Sequence, residues 1–88
     1  MVNSVGVIGC GVIGASWTTL FLWQDLNVVA TDPAPGAELR LLEMIKKSWK
    51  SLESLHAPKR IPFELLNFVP DIVPFLSEVD FVQEVSPF

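Results

Sequence analysis

Val5-Gly6-Val7-Ile8-Gly9-Cys10-Gly11-Val12-Ile13-Gly14 is the stretch on which the reading of this chain turns. Val5 to Ile8 is a short, mostly β-branched run that stops at a glycine, which reads as a strand buried on both faces. Gly9 to Gly14 has the spacing G-x-G-x-x-G, and from Val12 onward the pattern turns helical. Alone, that spacing is weak. Here it follows a predicted strand, opens a predicted helix, and is answered by an acidic residue at the end of the next strand. That residue, Asp32, lies 23 positions beyond Gly9, near the ~20 that the motif requires.

Each position has a physical job. Gly9 allows the tight turn from strand to helix. Gly11 carries no side chain to hold a pyrophosphate away from the backbone. Gly14 lets the helix pack close. The N–H groups near Val12 and Ile13 then face the phosphates, with the positive end of the helix dipole behind them. Asp32 would accept hydrogen bonds from the adenosine ribose and repel a 2′-phosphate. No Arg or Lys follows it until Arg40, so the expected cofactor is NAD rather than NADP. The alternative is that the glycines only make a turn and Asp32 only caps a loop.

Outward from the motif, Val12 to Gln24 reads as a helix with one apolar stripe of Ile13, Trp17, Leu20 and Phe21, stopped by Asn27. Val28 to Thr31 reads as a second strand, and Asp32-Pro33-Ala34-Pro35-Gly36 as a turn. Ala37 to Leu55 is a second helix. Leu41 or Leu42, Ile45, Trp49 and Leu52 line one side of it, and Glu43, Lys46, Lys47 and Lys50 the other. His56 to Pro62 is a connector. Phe63 to Leu66 reads as a helical turn and Asn67 to Val69 as a short third strand. Asp71 to Glu78 reads as a short helix capped by Asp71, with Pro74 tolerable only in its first turn. Asp80 to Val85 is a fourth strand. Such alternation predicts an α/β fold, a partial Rossmann unit with a parallel sheet of about four strands in the order 3-2-1-4.

Composition narrows the partners. The 88 residues carry 6 Lys and Arg against 10 Asp and Glu, a net charge of −4. Nucleic acid and anionic membrane both call for a basic face, so neither is an expected partner. Half of the residues are apolar and 18% are charged, which is not a disordered composition. A chain this short buries only roughly 60–65% of its unfolded surface. The 19 uncharged residues from Val5 to Trp23 approach the ~20 of a membrane span, but their glycines and the lack of a basic start argue against one. The single cysteine excludes an internal disulfide framework and fits a reducing cytoplasm. No metal site is expected.

Other candidates have plain alternatives. Cys10, at a helix N-terminus, could be an activated thiol, or a small apolar filler within the motif. His56 reads as a surface or capping residue. Trp17, Trp23 and Trp49 read as packing rather than as a stacking platform. Lys46, Lys47, Lys50, Lys59 and Arg60 read as a solvated face rather than a site for a phosphorylated substrate arm.

Val5 to Gly14, Asp32 and the closing Asp80-Phe81-Val82-Gln83-Glu84 resemble the NAD-binding domain of the L-3-hydroxyacyl-CoA dehydrogenase family. Ala30-Thr31-Asp32-Pro33-Ala34-Pro35-Gly36-Ala37-Glu38 and Trp17 resemble its carnitine 3-dehydrogenase branch. The resemblance covers nearly the whole chain. It implies NAD-dependent oxidation of a 3-hydroxy group to a 3-oxo group on a small-molecule substrate, acyl-CoA or carnitine. It implies that Gly9, Cys10, Gly11, Val12, Ile13 and Gly14 hold the pyrophosphate, Asp32 the ribose, and that Glu84 lies near the nicotinamide half. Pro70, Pro74 and Val85-Ser86-Pro87-Phe88 depart from the family pattern. The family's catalytic histidine, its partnering glutamate and its helical substrate domain lie beyond this point. Residues 1–88 are therefore expected to be the N-terminal part of a dinucleotide-binding domain, without a catalytic residue of their own. Rival readings are another 3-hydroxyacid dehydrogenase and a non-catalytic binding fragment. Phe81, Val82, Val85 and Phe88 are expected at an unpaired sheet edge open to self-association.

Overall fold

The computed structural model describes residues 2–85. The expectation for Phe88 lies outside them. The chain forms β1 (Ser4–Ile8), α1 (Val12–Trp23), β2 (Asn27–Thr31), α2 (Ala37–Leu55), a 3-10 turn (Phe63–Leu65), β3 (Leu66–Phe68), a second 3-10 turn (Val73–Glu78) and β4 (Phe81–Glu84). The strands make one parallel sheet in the order β3-β2-β1-β4, as the right-handed crossover rule predicts. β1 sits at the centre. Val7 pairs with Ala30 on one side and with Gln83 on the other.

Both long helices pack on one face of the sheet. Val5, Val7, Val28 and Ala30 meet Ala15, Phe21 and Leu22 of α1 and Leu41, Ile45 and Trp49 of α2 in one core. On the opposite face, a Cβ at Gly6 would meet Ile72, Val79 and Val82 at 3.1–3.7 Å. The segment that contains the second 3-10 turn therefore covers β1 there.

The apolar stripe expected for α1 is corrected. Ile13, Trp17 and Leu20 are 62%, 40% and 48% exposed. The buried face is Gly14, Ala15, Thr18, Thr19, Phe21 and Leu22. Small residues let the helix approach the sheet closely. The two threonines tolerate burial because their hydroxyls donate to the carbonyls of Gly14 and Ala15, at 2.9 and 2.7 Å, leaving no polar group unpaired. Trp17 accordingly packs at the surface, stacked on Phe21, whereas Trp49 is fully buried against half-buried Trp23.

Three boundaries differ for local reasons. Asn27 does not stop α1; it begins β2. The stop is Asp25 in the left-handed region at φ 60, with the Lys59 ammonium donating to the last carbonyl of α1, that of Trp23, at 2.5 Å. Lys59 is thus engaged in capping α1 rather than solvated. The third strand is Leu66–Phe68, one residue earlier than expected. Asp80 lies before β4, where its carboxylate accepts the N–H groups of Asn3 and Ser4 at 2.6 and 2.9 Å. Asp71 accepts the Val73 N–H at 3.0 Å, and Pro74 falls in the first turn of the 3-10 segment, where its missing N–H does no harm.

Candidate functional site

The cleft lies at the carboxyl ends of β1, β2 and β4. There β1 lies between neighbours whose connections leave it in opposite directions, which is where open α/β sheets bind ligands. Ile8, Gly9, Gly11, Val12, Ile13, Asp32, Pro33, Glu84 and Val85 line a space of about 600 Å³. Six of the eight expected binding residues meet in it. Cys10 and Gly14 do not line it; they shape it from behind.

Gly9 has φ +95, and a Cβ there would sit 2.5 Å from the Val85 carbonyl. Both the turn and the close approach of β4 exclude a side chain. A Cβ at Gly14 would sit 1.9 Å from the Gly9 carbonyl oxygen, so this glycine brings α1 onto the turn. A Cβ at Gly11 would meet nothing within 4 Å. Space, not packing, surrounds Gly11, and that space belongs to the cleft. The first backbone bond of α1 runs from Ala15 N–H to the Gly11 carbonyl, at 2.8 Å. Among the described residues, the N–H groups of Val12 and Ile13 have no backbone acceptor, and no side chain caps the helix. Two donors and the positive helix end therefore face the cleft, which suits a pyrophosphate.

Asp32 holds the other wall. Its two carboxylate oxygens accept the Cys10 N–H at 2.7 Å and the Ala34 N–H at 2.8 Å. Those two backbone bonds, the Cys10 bond foremost, hold its pKa below the usual carboxylate value, and the charge of Arg40 adds to the effect. Asp32 is thus an anion at neutral pH, fixed in orientation. Each oxygen keeps lone-pair capacity for a ligand hydroxyl. The thiol of Cys10 is buried and directed at the Thr31 carbonyl, 3.5 Å away. Burial, and then the negative charge of Asp32, push its pKa up to about 11. Cys10 is a packed filler and not an activated thiol. Glu84 ends β4 on the cleft wall, exposed.

Several residues lie elsewhere. His56 is exposed at the far end of α2, beside Trp23. The 19 residues of α2 put that end about 28 Å from the end bordering the Asp32 loop. Arg60 pairs with Glu64 at 2.6 Å, and this partner pulls the Glu64 carboxyl down to about 2. Among the described residues no cluster of His, Cys, Asp or Glu could hold a metal, and no helix is long and apolar enough to cross a membrane. The sequence reading missed Ile8, Pro33 and Val85 as cleft walls. Their signal was position alone, each next to a motif residue in the chain.

A parallel sheet with a glycine turn, uncapped helix N–H groups and a fixed aspartate around one cleft defines a dinucleotide-binding unit of the Rossmann class. The chain belongs to the family described as 3-hydroxyacyl-CoA dehydrogenase, NAD binding domain, whose model matches residues 4–87. Its dinucleotide is NAD. It is 41% identical over 97% of its length to an L-carnitine dehydrogenase of Oceanobacillus iheyensis, and 38% identical over 98% to one of Nocardiopsis dassonvillei. It spans only 28% and 26% of those relatives. Among solved structures it is similar to FadB2 of M. tuberculosis, with a TM-score of 0.80 at 24% identity, over 97% of this chain and 31% of that one. It is also similar to the (S)-3-hydroxybutyryl-CoA dehydrogenase of Ralstonia eutropha, with a TM-score of 0.81 at 19% identity, over 98% of this chain and 31% of that one. These two likenesses concern the fold.

Proposed function

We propose that residues 1–88 are the N-terminal part of the dinucleotide-binding domain of an oxidoreductase that oxidises a 3-hydroxy group to a 3-oxo group, with carnitine as the substrate class. The relatives named L-carnitine dehydrogenase support the substrate class. The observation that carries the cofactor role is the open space at Gly11 beside unpaired helix N–H groups and fixed Asp32.

NAD, when bound, supplies the hydride acceptor. The chain's own part is to hold it. Gly9, Gly11, Val12 and Ile13 present backbone to the pyrophosphate, and Cys10 and Gly14 set that backbone in place. Asp32 accepts the ribose hydroxyls, and Glu84 faces the nicotinamide half. No catalytic residue is assigned among these 88. The reaction needs a base for the hydroxyl proton. The only histidine, His56, is at the wrong end of α2, and the remaining three quarters or so of the relatives' length has no counterpart here. The purified chain is therefore expected to make no NADH from carnitine or 3-hydroxybutyryl-CoA. A cytoplasmic location belongs to this reading and rests on the single, buried cysteine.

Calorimetric titration tests the cofactor role. NAD is expected to bind the parent at least about tenfold tighter than NADP, since Asp32 opposes a 2′-phosphate dianion. Gly11→Val is expected to lose NAD binding while it keeps its fold. A parent that binds NADP as tightly as NAD, or a folded Gly11→Val that binds NAD normally, would overturn the assignment.

A further inference from the structure

We propose that the groove between α2 and β3 is a self-complementary docking surface, and that its occupant is the same groove on a second copy of this chain. It lies at the sheet edge opposite β4, and it stands apart from the cofactor reading. Glu38, Leu42, Lys46, Phe63, Leu66 and Phe68 line a space of about 300 Å³. A second space of about 500 Å³ continues it past Ala34, Gly36 and Leu39, and the two share Glu38, Leu42 and Phe68. The leucine and phenylalanine floor is only half-buried, and Leu39 at its rim is 63% exposed. Such a patch gains by leaving water.

The charges on the groove say what covers it. Glu38, Leu42 and Lys46 stand at i, i+4 and i+8 of α2, which is one row on the helix. The acid and the ammonium therefore lie about 6 Å to either side of the leucine. Both are exposed. Among the described residues the ion pairs are Lys59 with Asp25 and Arg60 with Glu64, so neither Glu38 nor Lys46 is engaged. A half-turn about an axis at Leu42 brings Glu38 of one copy level with Lys46 of the other, twice over. That reciprocity defines an isologous contact. The net charge of −4 opposes self-association in general, so copies meet best where acid faces base.

The strand obeys the same axis. Among the described residues β3 pairs only with β2. The Val69 N–H donates to the Ala30 carbonyl at 2.8 Å. Alternation along the strand then turns the N–H and C=O groups of Leu66 and Phe68 outward. A half-turn at Asn67 sets Leu66 of one copy opposite Phe68 of the other, antiparallel, where opposed residues exchange both bonds. Glu38 and Phe68 share the second space, which Lys46 and Leu66 do not line. Helix row and strand thus run against each other, with Leu42 and Asn67 at one level of the groove. Three residues of edge are too short to hold a pair alone. The apolar floor and the two charge pairs complete the contact, and a half-turn closes it at two copies.

Sedimentation of the Val82→Lys chain, which sets the β4 edge aside, tests this at low salt and up to about 1 mM. A dimer and nothing larger is expected. In that background Glu38→Lys and Lys46→Glu are each expected to weaken the dimer about tenfold or more, although Glu38→Lys reduces the net negative charge. An equimolar mixture of the two is expected to restore it, since every lysine then faces a glutamate, and so is the double variant Glu38→Lys/Lys46→Glu. Where a variant loses the native circular dichroism, Glu38→Gln/Lys46→Gln in the parent takes its place and is expected to remove the salt dependence of association; an unchanged salt dependence would overturn the charge pairing. A Val82→Lys chain that stays monomeric would overturn the second copy as occupant and leave the groove to an extended segment of another protein. A mixture no more associated than its two components would overturn the half-turn geometry.

Discussion

Gly11 and Gly14 answer to opposite constraints three residues apart. At Gly14 the added carbon has nowhere to go, since its neighbour is backbone oxygen at 1.9 Å. Gly14→Ala is expected to destabilise the chain by about 1–3 kcal/mol or more, because the helix must lift off the turn. Gly11→Ala meets empty space and is expected to stay within about 1 kcal/mol of the parent. Urea unfolding of both variants checks the pair, and equal losses would contradict the geometry. Cys10 offers a second check. The thiolate is the reactive form, and burial with the Asp32 charge raises the thiol pKa to about 11. Alkylation by iodoacetamide at about pH 8 is expected to be at least tenfold slower in the folded chain than in urea. A fast native reaction would restore the activated-thiol reading.

At the scale of elements, α1 is where sequence and structure part. Its large apolar residues face outward, and its sheet side is small residues and self-bonded threonines. Leu22→Ala, at a fully buried position, is expected to lose about 2–5 kcal/mol. Leu20→Gln, half exposed, is expected to lose under about 1 kcal/mol; reversed sizes would reinstate the stripe. The glycine turn, the strand order, the second helix and Asp32 were legible because each rests on local chemistry. A glycine run, a β-branched run, a prolyl turn and an amphipathic repeat identify themselves. Periodicity failed on α1 because nearly every position of that helix is apolar or small, so the pattern cannot say which side is inward. It also failed for Lys59, Asp80 and Arg40. Their partners, Trp23, Asn3 and Pro35, are supplied by the fold.

For the whole molecule, β4 matters most, since among the described residues nothing pairs with its outer side. Phe81 and Val82 are 42% and 38% exposed there. We propose that the 88-residue chain self-associates through this edge, with free N–H and C=O groups beside apolar side chains as the template. Sedimentation at micromolar concentration is expected to show dimers or larger species, reduced by Val82→Lys; a sharp monomer would refute it. Acid should also act on this strand. The N–H groups of Asn3, foremost, and Ser4 hold the Asp80 carboxyl below its usual pKa of 3.8. Its contribution is complete above that value and disappears as the pH falls through the lowered one. Asp80→Asn is expected to be weaker than the parent at neutral pH and to lose less on going to about pH 3, as read from urea midpoints. The same bond crosses 77 positions of the chain. In a chain made from its amino end, β1 is therefore the first of the four described strands to appear, and its second neighbour, β4, the last of them. Until residues 81–84 have been made, β1 has one open flank, with backbone groups free to pair with another strand. A pause in synthesis between β2 and β4 is thus expected to lengthen the time for which that flank stays open to wrong pairing.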